Sequence, residues 1–416
     1  MANRSQRFDV VVIGGGLSGL VAAAAARLQG AEVALLAEGR GMLELSSGSI
    51  DLLAATPAEA SVQHPWDSLA ELPAAHPYGL LGVDAVRTAL DAFQTTTAQM
   101  GHTYRAEPDG TNQALVTAIG HLRPTYLAAP GAAVVRAGQT IWLAGIKGMR
   151  EFHPGVAAAG LQAALPGSQV IWNLVDLPQA SAHLHPVQLA RLLEEPAYRD
   201  ALAHSLAAAR PQGRTPDVLL LPAVLGLDAA AAVRTSISTA VGMAVGEVSL
   251  LSPSIPGLRL ATLWTRHIQR LGVTMCLGAK VTGARCEANR VVAVTGQTAA
   301  GPTEYRAGAF VLAAGGLLGQ GLVPHGRTVV EPIFGLPVDF TGEPGAAEGA
   351  LLAPGGHKFV RTGIPTDAGL RPDGWRNIHI CGRMLSGYDP YAEGCGGGVA
   401  VASGWRAGSL AGGAAL

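Results

Sequence analysis

The segment Phe8-Asp-Val-Val-Val-Ile-Gly-Gly-Gly-Leu-Ser-Gly-Leu20 constrains this chain more than any other. Four consecutive apolar residues, Val10 to Ile13, predict a parallel strand buried on both faces. They run straight into Gly14, Gly16 and Gly19 and then into an alanine-rich helix over Val21 to Leu28. In that order the three glycines serve a tight turn, a close backbone approach to a phosphate, and a close helix–strand contact. The free N–H groups and positive dipole end of the helix, around Leu17 and Ser18, suit a pyrophosphate or monophosphate. A glycine pattern alone is weak. The strand before it and the helix after it make it a nucleotide-phosphate site.

Residues 32–36 alternate and turn at Gly39-Arg40-Gly41, which predicts the second parallel strand of a βαβ unit. An acidic residue is expected at the end of this strand to hold an adenosine ribose. That position falls on Ala37, and Glu38 follows one step later with its side chain on the other face. Either the geometry shifts to bring Glu38 in, or no adenosine half is bound.

Residues 57–257 read as an inserted mixed α+β cap, with helices over 83–100 and 186–209 and strands over 140–144, 169–172 and 218–222. An amphipathic helix over 257–271 brings the chain back to the first sheet through strands at 273–276, 280–285 and 290–295. Ala309-Phe-Val-Leu-Ala-Ala-Gly-Gly316 then predicts a strand that empties into Ala314, Gly315 and Gly316, where a ligand can approach the backbone. A last strand at Asn377 to Arg383, carrying Gly382, leads to Glu393-Gly-Cys-Gly-Gly-Gly-Val399 and a small-residue helix. That loop presents backbone N–H donors and a helix dipole, which suit the carbonyl edge of a reduced, anionic isoalloxazine. The expected domains are therefore 1–56 with 258–325 and 370–416, binding the cofactor, and 57–257 with 326–369, covering the substrate.

Net charge of −1 with both signs dispersed excludes a nucleic-acid surface and a polybasic membrane anchor. The apolar run from Leu219 is broken by Pro222, Gly226 and Asp228 and ends at Arg234, too short for a bilayer. Four cysteines, Cys276, Cys286, Cys381 and Cys395, form no close group that would hold zinc or an iron–sulfur centre, so no metal is expected. Few, scattered cysteines and a polar start that runs into the first strand fit a cytoplasmic setting.

The glycine turn, Leu45-Ser-Ser-Gly-Ser-Ile-Asp-Leu52, Ala75-His-Pro-Tyr78, Pro253-Ser254 with Gly257 and Arg259, Glu331-Pro-Ile-Phe-Gly-Leu336 and the Gly394-Cys-Gly-Gly-Gly398 run together resemble the B subunits of anaerobic glycerol-3-phosphate dehydrogenases. The resemblance implies a Rossmann-like α/β flavin fold of the fumarate reductase and succinate dehydrogenase kind. It also implies FMN, with FAD as the alternative, and oxidation of glycerol 3-phosphate to dihydroxyacetone phosphate with electrons passing toward quinone. Two further chains, one flavin-bearing and catalytic and one carrying iron–sulfur centres, would complete the assembly, the latter attaching it to the inner face of the membrane. Two other readings stay open, a self-sufficient FAD oxidoreductase and a non-catalytic assembly module that keeps the fold.

Removing a hydride from a secondary alcohol needs a base for its proton and cations for its phosphate. Arg123, Arg259 and Arg361 are candidate clamps. Arg259 lies in the resembling segment and is carried forward, although a surface or helix-end ion pair would account for it equally. His76 and His153 are candidate bases, and a loop histidine satisfied by backbone would account for either; His153 is carried with Arg259 as the catalytic pair. Ser46, Ser47, Gly48 and Ser49 could pass the edge of the ring or form a plain capping loop. With Gly382, Arg383 and Gly394, Cys395, Gly396, Gly397, Gly398 and Val399, they complete the expected flavin shell. Cys395 is expected to be a packed small residue, not a redox thiol.

Overall fold

A computed structural model of the protein describes residues 4–177, 185–213, 215–340 and 357–415. The described chain divides into two compact units, one of residues 1–42, 51–101 and 261–416, the other of residues 43–50 and 102–260.

The first unit is built on the Arg4–Ile13 strand, whose Val10, Val11 and Val12 are fully buried. Parallel neighbours flank it, Val33–Ala37 on one side and Gly301–Leu312 on the other. Thr274–Leu277 extends the sheet beyond Val33–Ala37, and Ile378–Ile380 adds a parallel strand to the end of Gly301–Leu312. Arg290–Thr298 and Lys280–Glu287 complete it as an antiparallel ribbon. The apolar and alternating runs predict each of these strands, but Gly301–Leu312 begins eight residues before the predicted start at 309, and the strand predicted over 377–383 is only Ile378–Ile380, with Gly382–Met384 forming a separate 3-10 turn.

Two helices lie in near-backbone contact in this unit. Gly404, Gly408 and Gly412 of the Gly396–Ala415 helix face Ser18, Ala22 and Ala26 of the Leu17–Leu28 helix, one turn at a time. A Cβ on Gly408 would stand 2.1 Å from the Ala22 carbonyl oxygen, so only glycine permits the approach. Both series ascend together, so the helices run parallel and begin at the same end. Ser18 pairs with Gly404, which places Gly16 level with residue 402. At 1.5 Å per residue, the start of the C-terminal helix then projects about 9 Å beyond Gly16.

The second unit has a four-stranded parallel sheet in the order Gln169–Val175, Thr140–Ile146, Val218–Pro222, Ala244–Val248. Its core holds Trp142, Leu143, Leu219, Leu220 and Leu221, with Leu161, Leu202, Leu206, Val233 and Ile237 from the helices. A three-stranded antiparallel sheet, Leu122–Thr125, Gln113–Val116, Val134–Val135, belongs to the same unit.

The expected boundaries differ from this division in four places: residues 326–340 and 357–369, expected in the cap, belong to the first unit, residues 258–260, expected beside the flavin, belong to the second, and two longer segments change sides. Residues 57–101, expected in the cap, belong to the first unit. The Tyr78 hydroxyl donates to the Leu52 and Cys395 carbonyls, and the Val83–Gln99 helix packs on the C-terminal helix. Residues 43–50, expected beside the flavin, belong to the second unit, where Ile50 pairs with Leu127 and Tyr104 donates to the Gly48 carbonyl. Within the expected cap, residues 178–184, 214 and 341–356 lie outside the described residues. The single helix expected over 186–209 is two, Pro186–Leu192 and Pro196–Ala208, because proline starts each.

Candidate functional site

Three bare-backbone corners meet in the first unit. Gly14, at φ +118°, lies against the end of the Gly301–Leu312 strand, where an added Cβ would fall 2.2 Å from the Ala313 carbonyl oxygen. Gly316, at φ +57°, lies against Arg383, and Gly382, at φ +63°, against the Ser18 hydroxyl. The expected groups 14–19, 314–316 and 382–383 therefore form one continuous surface, and the parallel helices carry residues 394–399 to the same end.

Gly16 is the N-cap of the Leu17–Leu28 helix, yet no side chain caps it and its first turn holds no acid. An added Cβ at Gly16 would meet nothing within 4 Å. Uncapped helix amides facing open space are the donor set a flavin phosphate requires, so the residues present fit that group. The Arg383 guanidinium donates to the Thr362 carbonyl. Arg383 also donates to the Val360 carbonyl and lies over the Tyr388 ring. It is a loop anchor.

The 394–398 loop is held by Glu393. Its carboxylate accepts from His76 Nε2 at 3.0 Å, from the Asp389 amide at 3.1 Å and from the Cys395 thiol at 3.5 Å. Burial alone would raise its pKa, but the His76 hydrogen bond and the Asp389 amide hold it below the usual carboxylate range. His76 Nδ1 accepts from the Tyr78 amide at 3.0 Å, so the ring proton resides on Nε2 and points at Glu393. His76, Glu393 and Cys395 are close enough to suggest a metal site. A metal would require the Nε2 lone pair, and the tautomer set by Tyr78 denies it. The cluster is a hydrogen-bonded clamp. Burial, then the Glu393 charge, drives the Cys395 thiol well above its ordinary pKa, so it stays protonated and inert.

At the end of the second strand Ala37 is buried, its Cβ 2.9 Å from where a Gly15 Cβ would stand. Glu38 is exposed and turned to Lys280 at 3.4 Å. No carboxylate faces the glycine turn from this strand.

The remaining candidates, Arg361 apart, lie in the second unit. Arg259 donates to Glu247 at 2.8 and 2.9 Å and to the Gly226 carbonyl from Nε and Nη2. With its donors committed in this way it is a buried structural cation, the ion-pair alternative, and holds no fork free for a substrate phosphate. The Ser46 hydroxyl donates to Leu43, Ser47 accepts from the Ser49 amide, and Ser49 accepts from Ala129, so these hydroxyls shape their own loop. His153 is an exposed residue before Pro154 at the start of the Pro154–Ala164 helix, and its carbonyl closes the first turn. Arg123 is largely desolvated, which lowers its pKa. Arg361 ends a short 3-10 turn in the first unit.

Sequence reasoning missed His102 and Arg234. Burial, then the charges of Arg259 and Arg234, lowers the His102 pKa to about 4, and its Nε2 is buried with no partner among the described residues. Neither sits in a motif, and only the fold brings Arg234 to Glu247 and His102 within the field of Arg234 and Arg259.

An FAD binding domain model matches residues 9–399. The B subunit of anaerobic glycerol-3-phosphate dehydrogenase from Yersinia enterocolitica is 32% identical, covering 95% of this chain and 96% of the relative. The protein of the same name from Vibrio cholerae is 31% identical over 96% and 95%. This chain belongs to the family of anaerobic glycerol-3-phosphate dehydrogenase B subunits. Among solved structures, it is similar to 3-ketosteroid-Δ4-(5α)-dehydrogenase from Rhodococcus jostii, at 13% identity, 100% and 98% coverage and a TM-score of 0.42. The family membership, the FAD binding domain and the fitted phosphate corner make this B-subunit relative a flavoprotein oxidoreductase. No described helix is long and apolar enough to cross a membrane.

Proposed function

We propose that the protein is the flavin subunit of a quinone-linked dehydrogenase complex that oxidises glycerol 3-phosphate to dihydroxyacetone phosphate. The observation that carries this reading is the uncapped start of the Leu17–Leu28 helix, open at Gly16, with the parallel C-terminal helix beginning beyond it. A ligand with a phosphate at one end and a ring at the other is accommodated by two helix starts offset in this way. The bound flavin would supply hydride acceptance.

The chain's own residues do the rest. Amides at 16–18 hold the phosphate, Gly316 and Gly382 let the corners pack on Arg383 and Ser18 beside it, and the His76–Glu393 clamp fixes the 394–398 loop. We favour FMN, because Ala37 offers nothing to an adenosine ribose and Glu38 is engaged with Lys280. FAD is supported by the family model. The B-subunit names of the relatives support association with further chains; the reading takes one as flavin-bearing and one as carrying iron–sulfur centres, through which the protein would reach the cytoplasmic face of the membrane.

The test is to purify the protein, release its cofactor by denaturation and identify it by mass, then assay glycerol 3-phosphate oxidation with a quinone analogue, alone and with its partner chains. Flavin at near one per chain and activity that requires the partners are the expected results. Colourless protein, or protein whose addition leaves the partners' activity unchanged, would overturn the proposal.

A further inference from the structure

We propose that Arg234 and His102 form the anion-binding end of a small-molecule site in the second unit, suited to a hydroxylated phosphate monoester. The choice of ligand rests on the phosphate-ester reading above; the existence of an anion site does not.

The argument begins with a charge count. Glu247 is almost completely buried at the C-terminal end of the Ala244–Val248 strand and is already paired with Arg259 through two hydrogen bonds. Arg234, on the Ala230–Val241 helix, is a second cation beside that neutralised pair. Its Nη1 reaches only the Pro130 carbonyl at 3.3 Å and Glu247 Oε2 at 3.8 Å, and its side chain is 20% exposed. Among the described residues, Nε and Nη2 have no hydrogen-bond partner, so one edge of the fork is unspent while the positive charge is only partly offset.

His102 supplies the complementary group. Its ring stands edge-on to Tyr104 at 5.2 Å, and Tyr104 is anchored through its hydroxyl to the Gly48 carbonyl at 2.6 Å. The imidazole is held in place, yet Nε2 is buried with no partner among the described residues. A buried, unpaired ring nitrogen is costly unless a ligand or water completes it. Burial and then two nearby arginines keep the ring neutral, so it can accept from a hydroxyl or donate to a phosphate oxygen.

The location is consistent with a ligand site. Gly226 lies in the loop after the Val218–Pro222 strand and Glu247 near the end of its parallel neighbour, the end of an open α/β sheet at which ligands bind. A competing anion position is closed. The amides of Leu227, Asp228 and Ala229 ahead of the Ala230–Val241 helix all donate to Glu194 Oε1, at 2.7 to 2.8 Å. Arg234 is the remaining donor here, with a planar fork that suits bidentate phosphate binding.

The experiment uses the full-length holoprotein and two readouts, thermal protection and the His102 Cε1–H resonance, assigned by its loss in His102→Gln. Inorganic phosphate and glycerol 3-phosphate are the probes, with glycerol as the uncharged control and sodium chloride matching ionic strength. Both phosphates should shift the His102 resonance saturably and raise the melting temperature, and glycerol should do neither. Arg234→Gln should weaken phosphate binding about tenfold, with Arg234→Lys intermediate. If Arg234→Gln fails to fold, the titration of the unaltered protein and the Lys variant decide. An unmoved His102 resonance, equal binding by the Gln or Lys variant, or an equal response to glycerol would overturn the proposal. Colourless protein that still takes phosphate beside His102 would end the flavin reading and leave this one standing; yellow protein that does not would do the reverse.

Discussion

Arg259 and Glu247 form a two-pronged ion pair, Nη1 to Oε2 at 2.8 Å and Nη2 to Oε1 at 2.9 Å, with both side chains almost fully out of water. Glu247 also accepts the Leu225 amide, so the pair ties the end of one parallel strand to the loop after its neighbour. Removing Glu247 leaves the Arg259 charge buried without its anion, and removing Arg259 leaves Glu247 with Arg234 alone, at 3.8 Å, as its cation among the described residues. Arg259→Leu or Glu247→Gln should each destabilise the protein by about 3–5 kcal/mol. Urea unfolding of both variants checks this, and a loss below about 1 kcal/mol, the range of exposed pairs, would mean that the pair is solvated.

Two glycines separate a role in binding from a role in folding. Gly16 has an ordinary extended backbone, φ −76° and ψ 178°, and open space ahead of it, so Gly16→Val should fold normally while its side chain occupies the phosphate position. Flavin content should fall about tenfold or more with little change in the melting temperature of the cofactor-free protein. Gly408→Val should do the opposite kind of damage, because its side chain must displace the Ala22 carbonyl 2.1 Å from the new Cβ. Its expected cost is about 3 kcal/mol of stability. Equal flavin retention in Gly16→Val would relocate the phosphate site.

His76 acts on the glycine-rich loop through Glu393. Because the folded Glu393 carboxyl sits below its unfolded pKa, its stabilisation is complete above the ordinary carboxylate range and is lost as pH falls through the lower folded value. His76→Ala should remove about 2 kcal/mol near neutral pH, the worth of a hydrogen bond to a charged group. It should also flatten the acid limb of the stability curve and weaken flavin retention. Thermal melts from pH 3 to about 7 of both proteins test the claim; an unchanged acid limb would show that Glu393 is held by its other donors alone.

The first unit was legible because its signals are local. The apolar strand, the Gly14–Gly19 turn, Gly315-Gly316 and the Gly394–Gly398 run each carry their backbone geometry in a few consecutive residues, and the structure brings them together. The Ala37 departure could likewise be counted along the chain. Side-chain roles were less legible because they depend on distant partners. Nothing near Arg259 in sequence announces Glu247, twelve residues back on another element, or the Gly226 carbonyl. Chain proximity points the Ser46–Ser49 loop toward the flavin, whereas its hydrogen bonds join it to Leu43 and Ala129. Six segments of the second unit, Gln113–Val116, Leu122–Thr125, Val134–Val135, Pro154–Ala164, Ala230–Val241 and Ala244–Val248, lack a clean period and are not legible in the sequence.

His102 sets a pH dependence of the opposite origin from that of Glu393. Burial and then the Arg259 and Arg234 charges lower its pKa to about 4 in the folded protein, against an unfolded value near 6.5; Glu247 is committed to Arg259 and does not restore it. Between these values the unfolded chain binds the extra proton and the folded chain does not, so stability rises with pH through this window. On acidification the protein should lose up to about 3 kcal/mol between pH 6.5 and 4, with no further loss from this group below that. His102→Gln, which cannot titrate, should reduce the slope of this segment, leaving the part owed to His379 and His267, whose pKa values burial also lowers, and the lower Glu393 limb in place. Saturating phosphate should narrow the same window if the anion sits against the ring, because a nearby negative charge favours the imidazolium and lifts the folded pKa toward the unfolded one. Guanidinium unfolding would mask that electrostatic effect through its own salt, so the measurement is urea unfolding at matched ionic strength across pH 4 to about 7. A curve for the unaltered protein that is flat through that range would show that His102 is solvated and free to titrate normally.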